Sequence, residues 1–288
     1  MKEKITLSKS PGKRPDENAM SKVFITGHII EVETMDKQPR NLTRYRKFDK
    51  SHYIDLDTGE LCDYQPRIDS SRKHTMLPSF ERLRRIINAN FFGLPSECHV
   101  VLTYREQITD PQPLYADFKK FWQRLSYRYP HCEYIAVTEP QHQGSWHFHV
   151  LIKDTQAKRL FIPHEELTCL WGRGFTWISS LAGNDNIGLY FMVRLKDVDL
   201  HEDLQNGQQS KLILKGARLQ FYPPHMKLYR CSSGIVRPQA ITMPYGEVQR
   251  LVRSKSPCFR RTIRVVKNED GGETELNAIT YEHYNLKR

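Results

Sequence analysis

A glutamate and two histidines lie in apolar sequence near the middle of the 288-residue chain. Glu139 precedes His147 by eight positions, and His149 follows two positions later within the run Ser145–Ile152. This mostly apolar run is typical of a buried strand, on which residues two apart point to the same face. The two imidazoles therefore point the same way, and with a nearby carboxylate they could bind a divalent cation.

The residues before this run predict the strand that brings Glu139 to the histidines. Cys132–Pro140 is strand-like, and the polar segment that follows suits a hairpin. If the hairpin is centred on Gln143, Glu139 lies directly opposite His147, with Cβ atoms roughly 5 Å apart. A register shifted by one residue would turn Glu139 to the other face. The alternative is a structural or coincidental pair, since the chain contains 12 histidines.

The net charge of the chain indicates a polyanionic partner. Lysines and arginines number 44 against 33 acidic residues, which gives a formal net charge of +11. Nucleic acid is the first candidate partner and an acidic membrane surface is the second. No apolar run approaches the ~20 residues of a membrane span, and we see no secretory signal. The six cysteines form no CxxC pair, which argues against a zinc ribbon or a disulfide scaffold and favours a cytoplasmic protein.

The hydrophobic periodicity predicts an α+β fold with a central antiparallel sheet, helices on one face, and β-rich N- and C-terminal extensions. We expect a disordered tail over residues 1–20, a β-rich extension over 21–75, a core over 76–215 and a β-rich basic region over 216–288. The predicted elements used below are a strand at Val23–Val32, a helix opening at Pro78 and Ser79, helices after Asp117, from Pro163 to Trp171 and from Asn186 to about Lys196, and a last hairpin joining Arg261–Val266 to Leu276–Thr280.

Arginines are concentrated in two parts of the sequence. In the first predicted helix, Arg82, Arg84 and Arg85 lie largely outside the apolar face. A second basic cluster near the last hairpin contains Arg250, Arg253, Lys255, Arg260, Arg261 and Arg264. Contact with a DNA backbone is one interpretation of both groups, and an ordinary solvated surface is the other.

A metal site beside a basic surface suits phosphodiester cleavage, for which a nucleophile is needed. Tyr190 is the candidate, because it lies in a predicted helix beside the apolar seam of Ile187 and Phe191 rather than on it. Arg194 follows one turn later on the same side and could offset negative charge on a phosphate or phenolate. The alternative is that Tyr190 only packs.

Three segments of the chain, taken in order, resemble motifs of a known superfamily. They are Val100–Tyr104, the stretch from Glu139 to His149, and Asn186–Leu195. Their order resembles that of the HUH endonucleases, and within them the rolling-circle replication initiators (Rep proteins) of bacterial plasmids, phages and integrative elements. The resemblance covers about the middle two-thirds of the chain and implies that residues 76–215 are an HUH endonuclease core.

By this resemblance, Glu139, His147 and His149 would bind Mg²⁺ or Mn²⁺. Tyr190 would attack one strand of origin DNA, single-stranded or cruciform, and form a 5′-phosphotyrosine bond. Many relatives have a lysine three residues after the tyrosine, where this chain has Val193; Arg194 or Lys196 are the candidate substitutes.

Two other functions fit the same residues. One is a conjugative relaxase, in which His142 could serve as a third histidine; the other is a noncatalytic DNA-binding regulator with the same fold. The sequence contains no GxxxxGK[ST] motif, so we expect a host helicase to separate the strands and a host DNA polymerase to extend the nick.

Overall fold

The computed structural model describes residues 4–10, 12–37, 45–49, 52–55, 60–63, 72–140, 145–194, 222, 226–269 and 272–287. The strands are β1 (Lys4–Ser10), β2 (Met20–Thr26), β3 (Ile29–Met35), β4 (Tyr45–Lys47), β5 (His52–Asp55), β6 (Leu61–Asp63), β7 (Glu97–Thr103), β8 (Cys132–Pro140), β9 (Trp146–Asp154), β10 (Thr176–Ser180), β11 (Tyr229–Cys231), β12 (Ile241–Pro244), β13 (Phe259–Glu269) and β14 (Gly272–Asn285). The helices are α1 (Arg72–Asn90), α2 (Gln112–Arg128), α3 (His164–Trp171), α4 (Ile187–Arg194) and α5 (Tyr245–Leu251). None of these described helices is both long and apolar enough to cross a lipid bilayer.

The predicted α+β class is confirmed by a central five-stranded antiparallel sheet in the order β10-β7-β9-β8-β11. The middle strand, β9, is buried from its first residue to Ile152, because helices cover the sheet on both sides. On one side, Phe118 of α2 and Trp171 of α3 contact Phe148, with ring centroids 5.1 and 6.0 Å away. On the other side, Phe191 of α4 contacts His149 at 6.1 Å. The expectation of helices on one face only is therefore wrong.

Two helices begin earlier than their sequence signals predict. Helix α1 starts at Arg72 and contains Pro78, which we expected to open it. Helix α2 starts at Gln112 instead of after Asp117, because a proline in the first helical turn loses no hydrogen bond. The apolar seams were predicted correctly and are buried: Leu83, Ile86 and Ile87 in α1, and Phe118, Phe121 and Leu125 in α2.

A six-stranded antiparallel sheet joins the two ends of the described chain in the order β1-β13-β14-β3-β2-β12. The expected disordered tail instead contains β1, which pairs with β13 from Lys4 opposite Asn268 to Ser10 opposite Thr262. The predicted strand Val23–Val32 is a hairpin, because Gly27 adopts a positive φ of 66° that most residues avoid. The predicted last hairpin is confirmed as β13–β14. A separate three-stranded sheet has the order β4-β5-β6.

The six-stranded sheet has one apolar face and one charged face. On the apolar face, Val23 and Tyr284 form a buried core with Tyr245, Val248 and Val252 from α5 and the residue after it. The alternation of side chains along the strands turns Phe24, Glu31 and His283 to the opposite face, where they lie in one row across three strands. Helix α1 lies against that charged face.

Glu31 connects α1 to the charged face through two arginines. Its carboxylate accepts hydrogen bonds from Arg84 Nε and Nη2 at 3.1 and 2.8 Å, and from Arg85 Nε at 2.8 Å. Burial raises the pKa of Glu31, but the charges of Arg84, His283 and Arg85 outweigh that effect and leave the pKa below its usual value of 4.5. The ion pairs therefore stabilise the contact between α1 and the sheet when Glu31 is ionised.

Replacing Glu31 with glutamine is expected to lower the free energy of unfolding by about 1–3 kcal/mol, because two mostly buried guanidinium groups lose their counter-charge. The measurement is the midpoint of urea unfolding, with the slope unchanged. Because the pKa of Glu31 is lowered by folding, its contribution is present above pH 4.5 and disappears as the pH falls through the folded-state pKa. The difference between wild type and variant should therefore narrow in acid. Glu273→Gln, at an exposed position of β14, is the control and should change little.

Candidate active site

The hairpin of β8 and β9 positions the three candidate metal ligands. In its antiparallel register, Glu139 pairs with His147 and Val137 pairs with His149. This is the register that the sequence predicts for a hairpin centred on Gln143, a residue outside the described part of the chain. The alternation of side chains therefore places Glu139, His147 and His149 on one face of the central sheet.

The side chains of these three residues converge. Glu139 Oε2 lies 3.3 Å from His147 Nε2 and 3.0 Å from His149 Nε2. The two Nε2 atoms are 3.0 Å apart. All three residues are buried, with exposed fractions of 5%, 7% and 8% in chain order. One ligand atom from each can be chosen so that all lie within 4.8 Å of one another, and such a group could hold a metal ion.

The chemistry of these atoms fits a divalent cation. Burial raises the pKa of Glu139, but the hydrogen bonds and charges of His147 and His149 outweigh it and lower the pKa overall, which favours the carboxylate. If both Nε2 atoms lack protons, their lone pairs and the carboxylate oxygen face one another at hydrogen-bond distance and repel. A cation among them would remove that repulsion, and one carboxylate with two imidazoles suits several divalent ions.

A third histidine supports the site from the neighbouring strand. His99 of β7 is fully buried, and its Nε2 lies 3.0 Å from Nδ1 of His149. If His149 binds a cation through Nε2, its Nδ1 carries the proton and donates it to His99. Such outer contacts orient a ligand imidazole and fix its tautomer. Sequence analysis missed His99, because its face depends on the register between β7 and β9, in which Val101 lies opposite His149.

Replacing His99 with leucine is expected to weaken Mn²⁺ binding about 10- to 100-fold, because His149 loses the acceptor that orients it. His99→Gln should restore most of the affinity, since its amide oxygen can accept the same hydrogen bond. Calorimetric titration with Mn²⁺ measures both variants, with exposed His131→Ala as the control. Equal losses in the leucine and glutamine variants at unchanged melting temperature would show that His99 does not act through its hydrogen bond.

Helix α4 brings Tyr190 to the histidine face of the central sheet. Asn186 caps the helix by accepting the Leu189 N–H at 2.9 Å, so Asn186 precedes the helix instead of starting it. The Tyr190 ring meets the His99 ring edge-on, with centroids 6.3 Å apart and planes at 87°. Tyr190 is partly buried, and Phe191 contacts the His99 ring at 5.4 Å. The candidate nucleophile thus lies next to the histidine that contacts the metal ligands.

A glycine lets α4 approach α1 closely. The Gly188 N–H donates to Asn88 Oδ1 at 2.7 Å. A Cβ atom at Gly188 would lie 2.5 Å from that oxygen and 2.9 Å from the carbonyl oxygen of Arg84. Only glycine fits this contact without a shift, so the position of Tyr190 depends on α1.

Residues 97–197 match a family model of replication-associated proteins, the ORF2 type. The matched range starts at β7 and includes all of α4, so it contains Glu139, His147, His149 and Tyr190. It covers about a third of the chain. No curated protein and no solved structure is significantly similar to the chain. The similarity to replication-associated proteins therefore falls on the part of the fold that carries the candidate site.

The predicted basic residues are divided among several surfaces. Arg84 and Arg85 contact Glu31, whereas Arg82 is exposed on α1. Arg260 donates to Glu282 Oε1 at 2.6 Å, and its neighbour Arg261 is exposed on the other face of β13. Exposed Arg250 and Arg253 lie in α5 and just after it, on the apolar side of the six-stranded sheet. The predicted C-terminal cluster is therefore not one surface.

Several sequence predictions fall on parts that the structure does not describe. The side chains of Val193 and Arg194 lie outside the described part of α4. Lys196 and His142 are outside the described residues altogether. The assignments of Arg194 or Lys196 as substitutes for the usual lysine, and of His142 as a third histidine, therefore stay predictions.

Proposed function

We propose that the chain is a metal-dependent endonuclease that nicks one strand of DNA at a replication origin and starts rolling-circle replication. The observation that carries this proposal is the buried convergence of Glu139, His147 and His149 beside the helix of Tyr190. The match of residues 97–197 to replication-associated proteins supports it. In this interpretation the protein is cytoplasmic and has the HUH endonuclease arrangement that its three motifs resemble.

Glu139, His147 and His149 would hold Mg²⁺ or Mn²⁺. A bound ion would draw electron density from a nonbridging phosphate oxygen and stabilise the negative charge of the transition state. His99 keeps the His149 imidazole oriented through the 3.0 Å contact to its Nδ1. Helices on both faces of the central sheet keep these polar groups away from bulk water, which strengthens their interaction with a phosphate.

Tyr190 would be the nucleophile. Its hydroxyl oxygen forms a bond to phosphorus, its proton passes to solvent, and the bond from phosphorus to the 3′ oxygen breaks. The departing oxygen takes up a proton and becomes a free 3′-OH, which a host polymerase can extend. One phosphate ester replaces another, so the covalent intermediate conserves the energy of the bond and rejoining requires no ATP.

The test is the formation of a covalent protein–DNA adduct. Single-stranded oligonucleotides that tile the DNA around the gene are labelled at the 3′ end and incubated with the protein and Mn²⁺. A 5′-phosphotyrosine link transfers the 3′ label to the protein, whereas a 5′ label stays on the released fragment. DNA binding without an adduct in the whole tiled set would overturn the proposal and favour a noncatalytic regulator.

A further inference from the structure

A groove of about 900 Å³ lies between α1 and the charged face of the six-stranded sheet. The sheet contributes two rows of side chains to this face. Phe24, Glu31, His283 and Phe259 form one row, and Lys22, Glu33, Tyr281 and Arg261 form the next. Helix α1 and the segment before β12 complete the walls. We call this space the α1 groove.

The α1 groove carries an excess of positive charge. Six lining residues are cationic and two are acidic: Lys22, Arg82, Arg84, Arg85, Arg237 and Arg261 against Glu33 and Glu81. Glu31 neutralises part of this charge through Arg84 and Arg85. Arg82 and Arg261 are exposed, and Arg237 lines the groove opposite the sheet, so these cations can meet a polyanion.

Aromatic rings lie among these cations. Phe259 is 44% exposed, and its ring contacts His283 with centroids 5.0 Å apart. Phe24 is covered by the Arg85 guanidinium at 3.8 Å, so it supports the arginine and leaves Phe259 as the exposed ring. An exposed large hydrophobic side chain in a basic groove is a stacking surface for an unpaired base.

We propose that the α1 groove binds single-stranded DNA, with phosphates near Arg82, Arg237 and Arg261 and a base stacked on Phe259. A duplex keeps the faces of its bases inside the helix, so it would leave Phe259 without a stacking partner, whereas a single strand offers both phosphates and base faces. The groove and the candidate active site lie on different sides of α1, because Arg82 and Arg85 line the groove and Asn88 contacts α4. The proposal rests on the proposed function, since it assigns the groove a second segment of the same nicked strand.

The test compares variants that remove equal charge from opposite faces of the six-stranded sheet. Arg237→Ala/Arg261→Ala removes two groove cations, and Arg250→Ala/Arg253→Ala removes two from the α5 side. Affinity for a fluorescent oligothymidine strand is measured by anisotropy in EDTA over a range of salt concentrations. The groove variant should bind at least tenfold more weakly, and the slope of log affinity against log salt should fall by about 1.4. The control variant should keep the wild-type slope.

Phe259→Ala separates stacking from charge. It should weaken single-strand binding about 5- to 150-fold and leave the salt slope unchanged. Melting temperatures of all variants show whether they fold. Wild-type single-strand affinity in the folded groove variants would overturn the inference, as would a loss confined to duplex binding. Because binding in EDTA requires no cleavage, a missing covalent adduct would overturn the nicking proposal without affecting this result.

Discussion

Replacing Tyr190 with phenylalanine is expected to abolish the covalent protein–DNA adduct, a loss on the order of 10⁴-fold or more. The phenylalanine ring can keep the edge-on contact with His99, but it offers no oxygen to attack phosphorus. Affinity for the same oligonucleotide should stay within about twofold of wild type, since one hydroxyl contributes little to binding. The measurement is label transfer to the protein from a 3′-labelled single strand in the presence of Mn²⁺.

Tyr127→Phe is the matched control. Tyr127 lies on α2, which covers the other face of the central sheet, and it is 87% exposed. The same loss of one hydroxyl there should leave the adduct at its wild-type level. An adduct that persists in the Tyr190→Phe protein would assign the nucleophile to another residue.

Replacing His147 with alanine should abolish nicking and leave DNA binding mostly intact. The change removes one of three converging ligand atoms, so the affinity for Mn²⁺ should fall together with the cleavage rate. Chelation of the metal from the wild-type protein should have the same effect, and added Mn²⁺ should reverse it. Calorimetric titration and adduct formation, measured on the same preparations, test both statements.

Exposed His131→Ala is the control for His147→Ala, since it also removes one imidazole. The two proteins should differ in Mn²⁺ affinity and cleavage but agree in DNA affinity. Equal losses of cleavage and DNA binding in the His147 variant would argue against a metal role. They would indicate that His147 supports the fold of β9 instead.

The geometry of the metal ligands could be predicted because it depends on local sequence. A short polar loop between two strand-like runs allows few registers, and one of them opposes Glu139 and His147 as the structure does. The faces of α2 and α4 followed from the spacing of apolar residues for the same reason. Predictions made within one hairpin or one helix were therefore the ones that the structure confirmed.

Features that depend on distant pairing could not be predicted. Nothing near Lys4 shows that it will lie opposite Asn268, so β1 resembled a disordered tail. His99 became part of the site only through the register of β7 against β9. Arg260 and Arg261 are neighbours in sequence, but a strand turns them to opposite faces, and a cluster counted along the chain cannot separate them.

The topology of the six-stranded sheet has a consequence for how the protein is made. Val23 pairs with Ile241 and Ile30 pairs with Tyr284, so the early strands wait on the ribosome for partners that emerge much later. The hairpin of β8 and β9 and its partner β7 need no such partners and can form while translation continues. A product of premature termination before Ile241 would therefore carry the ligand-bearing hairpin without a complete α1 groove. We expect such a fragment to hold DNA poorly, which ties the use of the origin to completed synthesis of the polypeptide.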